Sequence, residues 1–237
     1  MRLRALSWDS DFFGLRIARL EETELAPEDV HALEDAVRAQ GLDCVYFLAG
    51  EEVAPERAAA AGFQAVDERV TLELRPLSPA AAPHPGVRPA APGDESALED
   101  IAGEAHRDTR FFADARFPRQ RSVDLYRTWI RNSLHGGADA VLVAGDGSDP
   151  AGYATAHLRP GGLGEIGLVG VAARARGRGR GRALVLAVVE WLRDRGCTRV
   201  QVVTQGRNAA ALELYRRAGF HIVRRQTWYH RWGDRPG

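Results

Sequence analysis

Three glycines, Gly177, Gly179 and Gly181, alternate with Arg176, Arg178, Arg180 and Arg182 in the stretch VAARARGRGRGRAL. Glycine tolerates a left-handed backbone and lets the main chain approach a bound group closely. Arginine makes charge-assisted hydrogen bonds to phosphate oxygens. The stretch lies between an apolar run over 164–171 and an amphipathic helical pattern that starts near 182. The first N–H groups of a helix have no internal partner and, with the helix dipole, attract anions. This arrangement reads as a phosphate cradle. Two other phosphate loops are excluded by spacing. The Walker loop closes on Gly-Lys-Ser/Thr, and this one closes on Gly-Arg-Ala. The dinucleotide fingerprint needs Gly-x-Gly-x-x-Gly, and here the spacing is Gly-x-Gly-x-Gly. A disordered arginine-glycine tract for RNA would not sit between two strongly patterned elements.

The whole chain supports a small anionic ligand over a polyanion. Lys+Arg equals Asp+Glu at 32 each, so no net field draws the protein to nucleic acid or an anionic membrane. Its two cysteines, Cys44 and Cys197, sit in or beside apolar runs without metal-ligand spacing. They read as reduced interior thiols, and no metal is expected. The N-terminal MRLRALSWDSDFF has no signal-peptide core, and no run approaches the ~18 apolar residues of a membrane span. A cytoplasmic protein is expected.

The elements that must position the loop follow from patterning. With 237 residues, 45% of them apolar, the chain has material for one large domain or two small ones. Five prolines in PLSPAAAPHPGVRP (76–89) mark an extended seam. The expected division is an N-terminal domain over 1–75, a linker over 76–86 and a catalytic domain over 87–237. Before the seam, a helix over 27–40 starts at Pro27 and ends at Gly41, and strands cover 44–49 and 69–74. After it, helices cover 94–105 and 121–134, and strands cover 140–145, 151–158 and 164–171. The long helix is expected over 182–195, a strand over 199–204, and a helix over 208–220 with Asn208 at its N-cap and Gly219 at its C-terminal end. A final strand or hairpin arm covers 221–232. The class is α/β (α+β). Ala-Gly-Phe recurs at 61–63 and 218–220, each time before a β-rich run. Duplication and a common glycine cap both account for it.

With those elements in order, the sequence resembles the GNAT superfamily of acetyl-CoA-dependent N-acyltransferases. Its motif A, Arg/Gln-x-x-Gly-x-Gly/Ala, is matched by Arg176, Gly179 and Gly181. Its motif B is matched by Asn208, Ala211, Tyr215, Gly219 and Phe220. Ala173 stands where the family usually has proline, and Arg180 where it has an aliphatic residue. The resemblance implies a mixed sheet with splayed parallel strands flanked by helices. It implies acetyl-CoA held by the backbone of Leu168, Val169, Gly170 and Val171, by the loop from Arg176 to Arg182, and by Asn208 and Tyr215. A backbone N–H near Val169 would polarise the acetyl carbonyl. Tyr215 would protonate the leaving thiolate, as a phenol with a reference pKa of ~10 can. The base that deprotonates the amine would be Glu165, with His157 and water as alternatives.

Two further stretches, SWDSDFFGLRIARL (7–20) and TRFFADARFPRQRSVDLYRTWI (109–130), resemble the bacterial TDP-fucosamine N-acetyltransferase group. That resemblance implies a truncated GNAT-like first domain and, as acceptor, the amine of a dTDP-4-amino-4,6-dideoxyhexose. Arg110, Arg116 or Arg119 would meet the diphosphate, and Phe111, Phe112 or Phe117 the base. Core packing is the other reading of these aromatics. Other acceptors stay open: another amino sugar, a natural-product amine or a protein N-terminus. So do a homodimer and an acyl-CoA-binding module without turnover.

Overall fold

The computed structural model describes residues 1–25, 29–77, 84–146 and 149–233. The expected helix start at Pro27 and most of the expected linker lie outside the described residues. The chain forms two compact units, each discontinuous in sequence. The first comprises Met1–Arg69, Thr109–Phe117 and Arg225–Gly237, and the second Val70–Asp108 and Pro118–Arg224.

In the first unit, strand β1 (Leu3–Ala5) leads into helix α1 (Ser7–Phe13), which Gly14 ends in a left-handed conformation at φ 69°. Strand β2 (Ile17–Leu20) pairs antiparallel with β1 and parallel with β3 (Cys44–Ala49). Helix α2 (Asp29–Gln40) joins β2 to β3 and buries Leu33 and Val37, the face its spacing predicts. All six residues of β3 are buried. That fits a continuous apolar run with a strand on each side. Its other neighbour is the second half of the last strand, β10 (His221–Trp232), paired antiparallel from Thr227 to Trp232. Helix α3 (Pro55–Ala60) starts on a proline, whose missing N–H is harmless there. It leads through Gly62 into β4 (Gln64–Leu74), which continues into the second unit.

In the second unit, strand β5 (Val87–Pro89) precedes helix α4 (Glu95–Ala105), the short α5 (Arg110–Ala113, in the first unit) and α6 (Arg119–Asn132). Strands β6 (Ala140–Asp146), β7 (Asp149–Arg159) and β8 (Leu163–Val171) form an antiparallel meander beside β5. Helix α7 (Arg180–Arg193) crosses over to β9 (Arg199–Gln205), which pairs parallel with β8. Helix α8 (Ala209–Arg217) follows, and Gly219, at φ 94°, turns the chain into β10. The core joins Leu184, Val185, Val188 and Leu192 of α7 to Ala154, Ile166, Val200 and Val202 of the sheet. Each such large side chain contributes about 1.5–3 kcal/mol on burial.

Several elements differ from expectation, α7, β4 and α1 among them. Helix α7 starts two residues early, because Gly179 is its N-cap, so Arg180, Gly181 and Arg182 form the first turn and not the loop. Strand β4 starts at Gln64, before the alternating run. Helix α1 occupies residues read without an element.

Candidate active site

The site grows from the place where two parallel strands part. β8 and β9 pair from Leu163–Arg199 to Ile166–Val202, and among the described residues the pairing ends there, although β8 runs on to Val171. On the other edge of β8, the register with β7 slips at the same level. Ala156 faces Ile166 and Ala154 faces Val169, so Thr155 alone faces Gly167 and Leu168. This is a β-bulge, which bends a strand and re-aims its groups. The fully buried Thr155 satisfies it, its Oγ1 accepting the Leu168 N–H at 2.8 Å. A Cβ on Gly167 would come within 2.5 Å of His157 Nε2 and 2.7 Å of Thr155 Oγ1.

Beyond the bulge lies the glycine turn. Gly177 and Gly179 take φ of 73° and 75°, and nothing crowds a Cβ at either. Their requirement is conformational, since left-handed backbone disfavours any side chain. No side chain caps α7, whose first intrahelical bond at the N-terminus is Ala183 N–H to the Gly179 carbonyl at 3.0 Å. The N–H groups of Gly181 and Arg182, in the first turn, thus stand at the positive end of a 14-residue helix without helix partners.

These groups border an open groove of about 520 Å³. Val169 and Val171 supply its apolar wall, and the turn, the start of α7 and the start of α8 supply the rest. Four arginines, Arg176, Arg180, Arg182 and Arg217, border it against two acids, Asp108 and Glu213. Arg216 and Arg217 both bond Glu213 and hold its carboxyl down at about 2. Arg176 folds back, its Nε donating to the Val171 carbonyl at 3.2 Å. The residues present fit a diphosphate on an apolar stem: amides at a helix N-terminus, positive charge and a left-handed turn without side chains.

Of the residues expected to hold a cofactor, Val169, Val171, Arg176, Gly177, Gly179, Arg180, Gly181, Arg182 and Asn208 line this groove. Leu168, Gly170, Arg178 and Tyr215 lie outside its wall. The Leu168 N–H is already taken by Thr155, and Gly170 is buried under the Tyr153 ring. Asn208 caps α8, its Oδ1 accepting the Ala211 N–H at 3.0 Å, which leaves its amide N–H groups for another partner. Tyr215 is only 4% exposed and belongs to the hydrophobic core, with its ring beside Phe220. Burial pushes its phenol well above the ordinary tyrosine value, so it stays protonated.

Glu165 and His157 face each other across β8 and β7. Arg159 takes the Glu165 carboxylate at 2.9 Å. His157 is half-buried, with Nε2 3.4 Å from Thr155 Oγ1, and burial together with Arg159 lowers its basicity. Sequence reasoning passed over His106, at the end of α4. Its Nε2 is 2.9 Å from the Tyr153 hydroxyl and its ring stacks on Tyr126. Burial pushes this imidazole down to about 4. No motif marks it.

Of the residues expected to meet the acceptor, Arg110, Phe111, Phe112, Arg116 and Phe117 fall in the first unit and Arg119 in the second. Phe111 and Phe117 are each 3% exposed and pack against Phe13 and Tyr46. Their rings are enclosed, so the base-stacking role expected of them does not fit. Phe112 is half-buried, and Arg110 lies over the Tyr46 and Trp228 rings. Among the described residues no helix is long and apolar enough to cross a membrane, and no His, Cys, Asp and Glu cluster could hold a metal ion.

The comparisons agree with this geometry. Residues 104–220 match the family model described as Acetyltransferase (GNAT) family. The chain is 28% identical over 234 residues to the dTDP-fucosamine acetyltransferase of Escherichia coli O6:H1, covering 97% of each. It is 27% identical over 144 residues to the spore coat polysaccharide biosynthesis protein SpsD of Bacillus subtilis, covering 61% of this chain and 50% of that protein. In fold it is similar to a GCN5-related N-acetyltransferase from Sphaerobacter thermophilus, with a TM-score of 0.57 at 24% identity, covering 82% of this chain and 61% of that one. The chain thus spans half the length of the Bacillus protein and under two thirds of the Sphaerobacter chain. Residues 104–220 are a GNAT acetyltransferase domain.

Proposed function

We propose that the chain transfers an acetyl group from acetyl-CoA to the amine of a nucleotide-linked amino sugar, of the dTDP-4-amino-4,6-dideoxyhexose type. One observation carries the donor: a left-handed glycine turn leads into the uncapped first turn of α7, beside the point where β8 and β9 separate. The likeness to dTDP-fucosamine acetyltransferase over 97% of both chains supports the acceptor. The catalytic domain would span 87–237, and the enzyme would work in the cytoplasm without a metal.

On this reading the amides of Arg180, Gly181 and Arg182 bind the pyrophosphate, and Val169 and Val171 contact the pantetheine. The amine attacks the thioester carbonyl: a C–N bond forms, the C–S bond breaks, and one amine proton is lost. A backbone N–H near Val169 steadies the charge that develops on the carbonyl oxygen. Tyr215 gives its proton to the departing thiolate. Glu165 is the first candidate to take the amine proton. Arg159 holds its carboxylate at 2.9 Å, and His157, across the strand pair, is the alternative.

The test is release of free thiol from acetyl-CoA by the full chain with a panel of amines. The dTDP-4-amino sugar is expected to give the highest kcat/KM. A higher value for a peptide amine overturns the acceptor, and no release with any amine overturns turnover.

A further inference from the structure

The first unit contains a group of side chains whose unmet needs are all of one kind. The Arg110 guanidinium carbon stands 4.2 Å from the Tyr46 ring centre and 4.1 Å from that of Trp228. Arg19 lies over the same indole at 5.3 Å. His230 accepts from Arg110 Nη1 at 3.5 Å, and its own Nδ1–H donates to Asp114 at 2.8 Å, which fixes the neutral tautomer and supplies no counter-charge. Arg4, beside this group, is ion-paired with Glu21 at 3.0 Å. Among the described residues, neither Arg19 nor Arg110 has a carboxylate within ion-pair distance; Glu21 acts on Arg19, and Asp9 feels Arg110, only from further away.

The deficit extends to hydrogen bonding. The Tyr46 hydroxyl is buried with no partner, and so is Arg19 Nε. Tyr46 itself is 0% exposed, and Arg110 is the charge that acts most strongly on its hydroxyl. Buried donors without acceptors and like charges without a counter-ion are both unfavourable. Everything missing is an acceptor or a negative charge, and an oxyanion supplies both at once.

We propose that Arg19, Arg110 and the Tyr46 hydroxyl bind a phosphate-type oxyanion, with Trp228 as the platform on which both guanidiniums rest. A nucleoside diphosphate or a sugar phosphate carries such an oxyanion. For the identity of its ligand the site rests on the amino-sugar reading above, and for its existence it does not.

The experiment is calorimetric titration of the full chain with thymidine diphosphate and with inorganic pyrophosphate, at low and at physiological salt. Arg110→Gln and Arg19→Gln are each expected to weaken thymidine diphosphate binding about 10- to 100-fold, and added salt to weaken it further. Tyr46→Phe removes only an unpartnered hydroxyl. It is expected to keep the wild-type melting temperature and still to lose about tenfold in affinity, which guards against a misfolded arginine variant. Equal binding of pyrophosphate, with the same sensitivities, supports the site and makes the diphosphate alone its ligand. No binding to the wild type, or equal affinity in wild type and Tyr46→Phe, overturns it. Intact thymidine diphosphate binding without acetyl transfer to any amino sugar overturns the acceptor reading alone.

Discussion

The Thr155 hydroxyl accepts the backbone N–H of Leu168 at 2.8 Å, at the level where β8 loses β9 as a neighbour. One side chain of β7 thereby fixes a bulge in the strand that walls the groove. Thr155→Val keeps the shape and leaves a buried N–H unpaired. It should cost about 1–3 kcal/mol in chemical denaturation and lower kcat/KM, and Thr155→Ser should restore most of both. A Val variant as stable as wild type would remove this role.

The glycines of the turn are not equivalent. Gly179→Ala forces a side chain into φ 75°, which should cost about 1–2 kcal/mol and weaken acetyl-CoA binding. Gly181 lies inside α7, where an added Cβ meets only ordinary contacts at 3.5 Å to Leu214. Gly181→Ala should leave the fold as stable or up to about 1 kcal/mol more stable, and yet weaken acetyl-CoA by blocking close approach to the groove. Melting temperature read beside acetyl-CoA affinity separates the two effects.

Asn208 caps α8 through Ala211. Asn208→Ala should cost about 1 kcal/mol, and Asn208→Asp should keep the cap. If the Asn208 amide also touches the donor, Asn208→Asp will still raise the KM for acetyl-CoA, because a carboxylate cannot donate. Unfolding curves and steady-state kinetics on the same preparations decide it.

Tyr215→Phe should lower kcat while leaving the KM for acetyl-CoA close to wild type, since the ring keeps its place in the core. The variant should also fold with wild-type stability. An unchanged kcat takes the phenol out of the reaction.

Two buried imidazoles set an acid limit. Burial holds His106 and His230 at about 4 in the folded protein, below the ~6.5 of an unfolded chain. Between those values the unfolded state binds more protons, so stability rises with pH. The contribution is complete above about pH 6.5 and is lost as the pH falls toward 4. Denaturation midpoints at pH 5.0 and 7.5 should differ in that sense, and His106→Gln should reduce the difference.

The groove and the elements around it were legible because their cues are local. A glycine run between a strand pattern and a helix pattern names its own geometry, and Asn208 before an amphipathic run names a cap. The Ala-Gly-Phe repeats were also local, and both glycines, Gly62 and Gly219, do end helices at positive φ. What was not legible depends on partners distant in sequence. Arg110 gains its setting from Tyr46 and Trp228, and His106 from Tyr153, and no spacing rule links such positions. Phe111 and Phe117 carry the same composition whether a ring meets a ligand or other rings, and only the fold distinguishes these. The first half of β4 was missed because Asp67 and Glu68 interrupt its alternation, and its pairing overrides propensity.

The first unit takes its inner strand neighbour from the far end of the chain: β3 at 44–49 is matched with 227–232. On a ribosome, the most water-averse segment of that unit is therefore made early and must wait for nearly two hundred further residues before its antiparallel mate emerges. Through most of synthesis its open edge needs shelter, and a nascent chain halted before Thr227 should be a preferred client of chaperones.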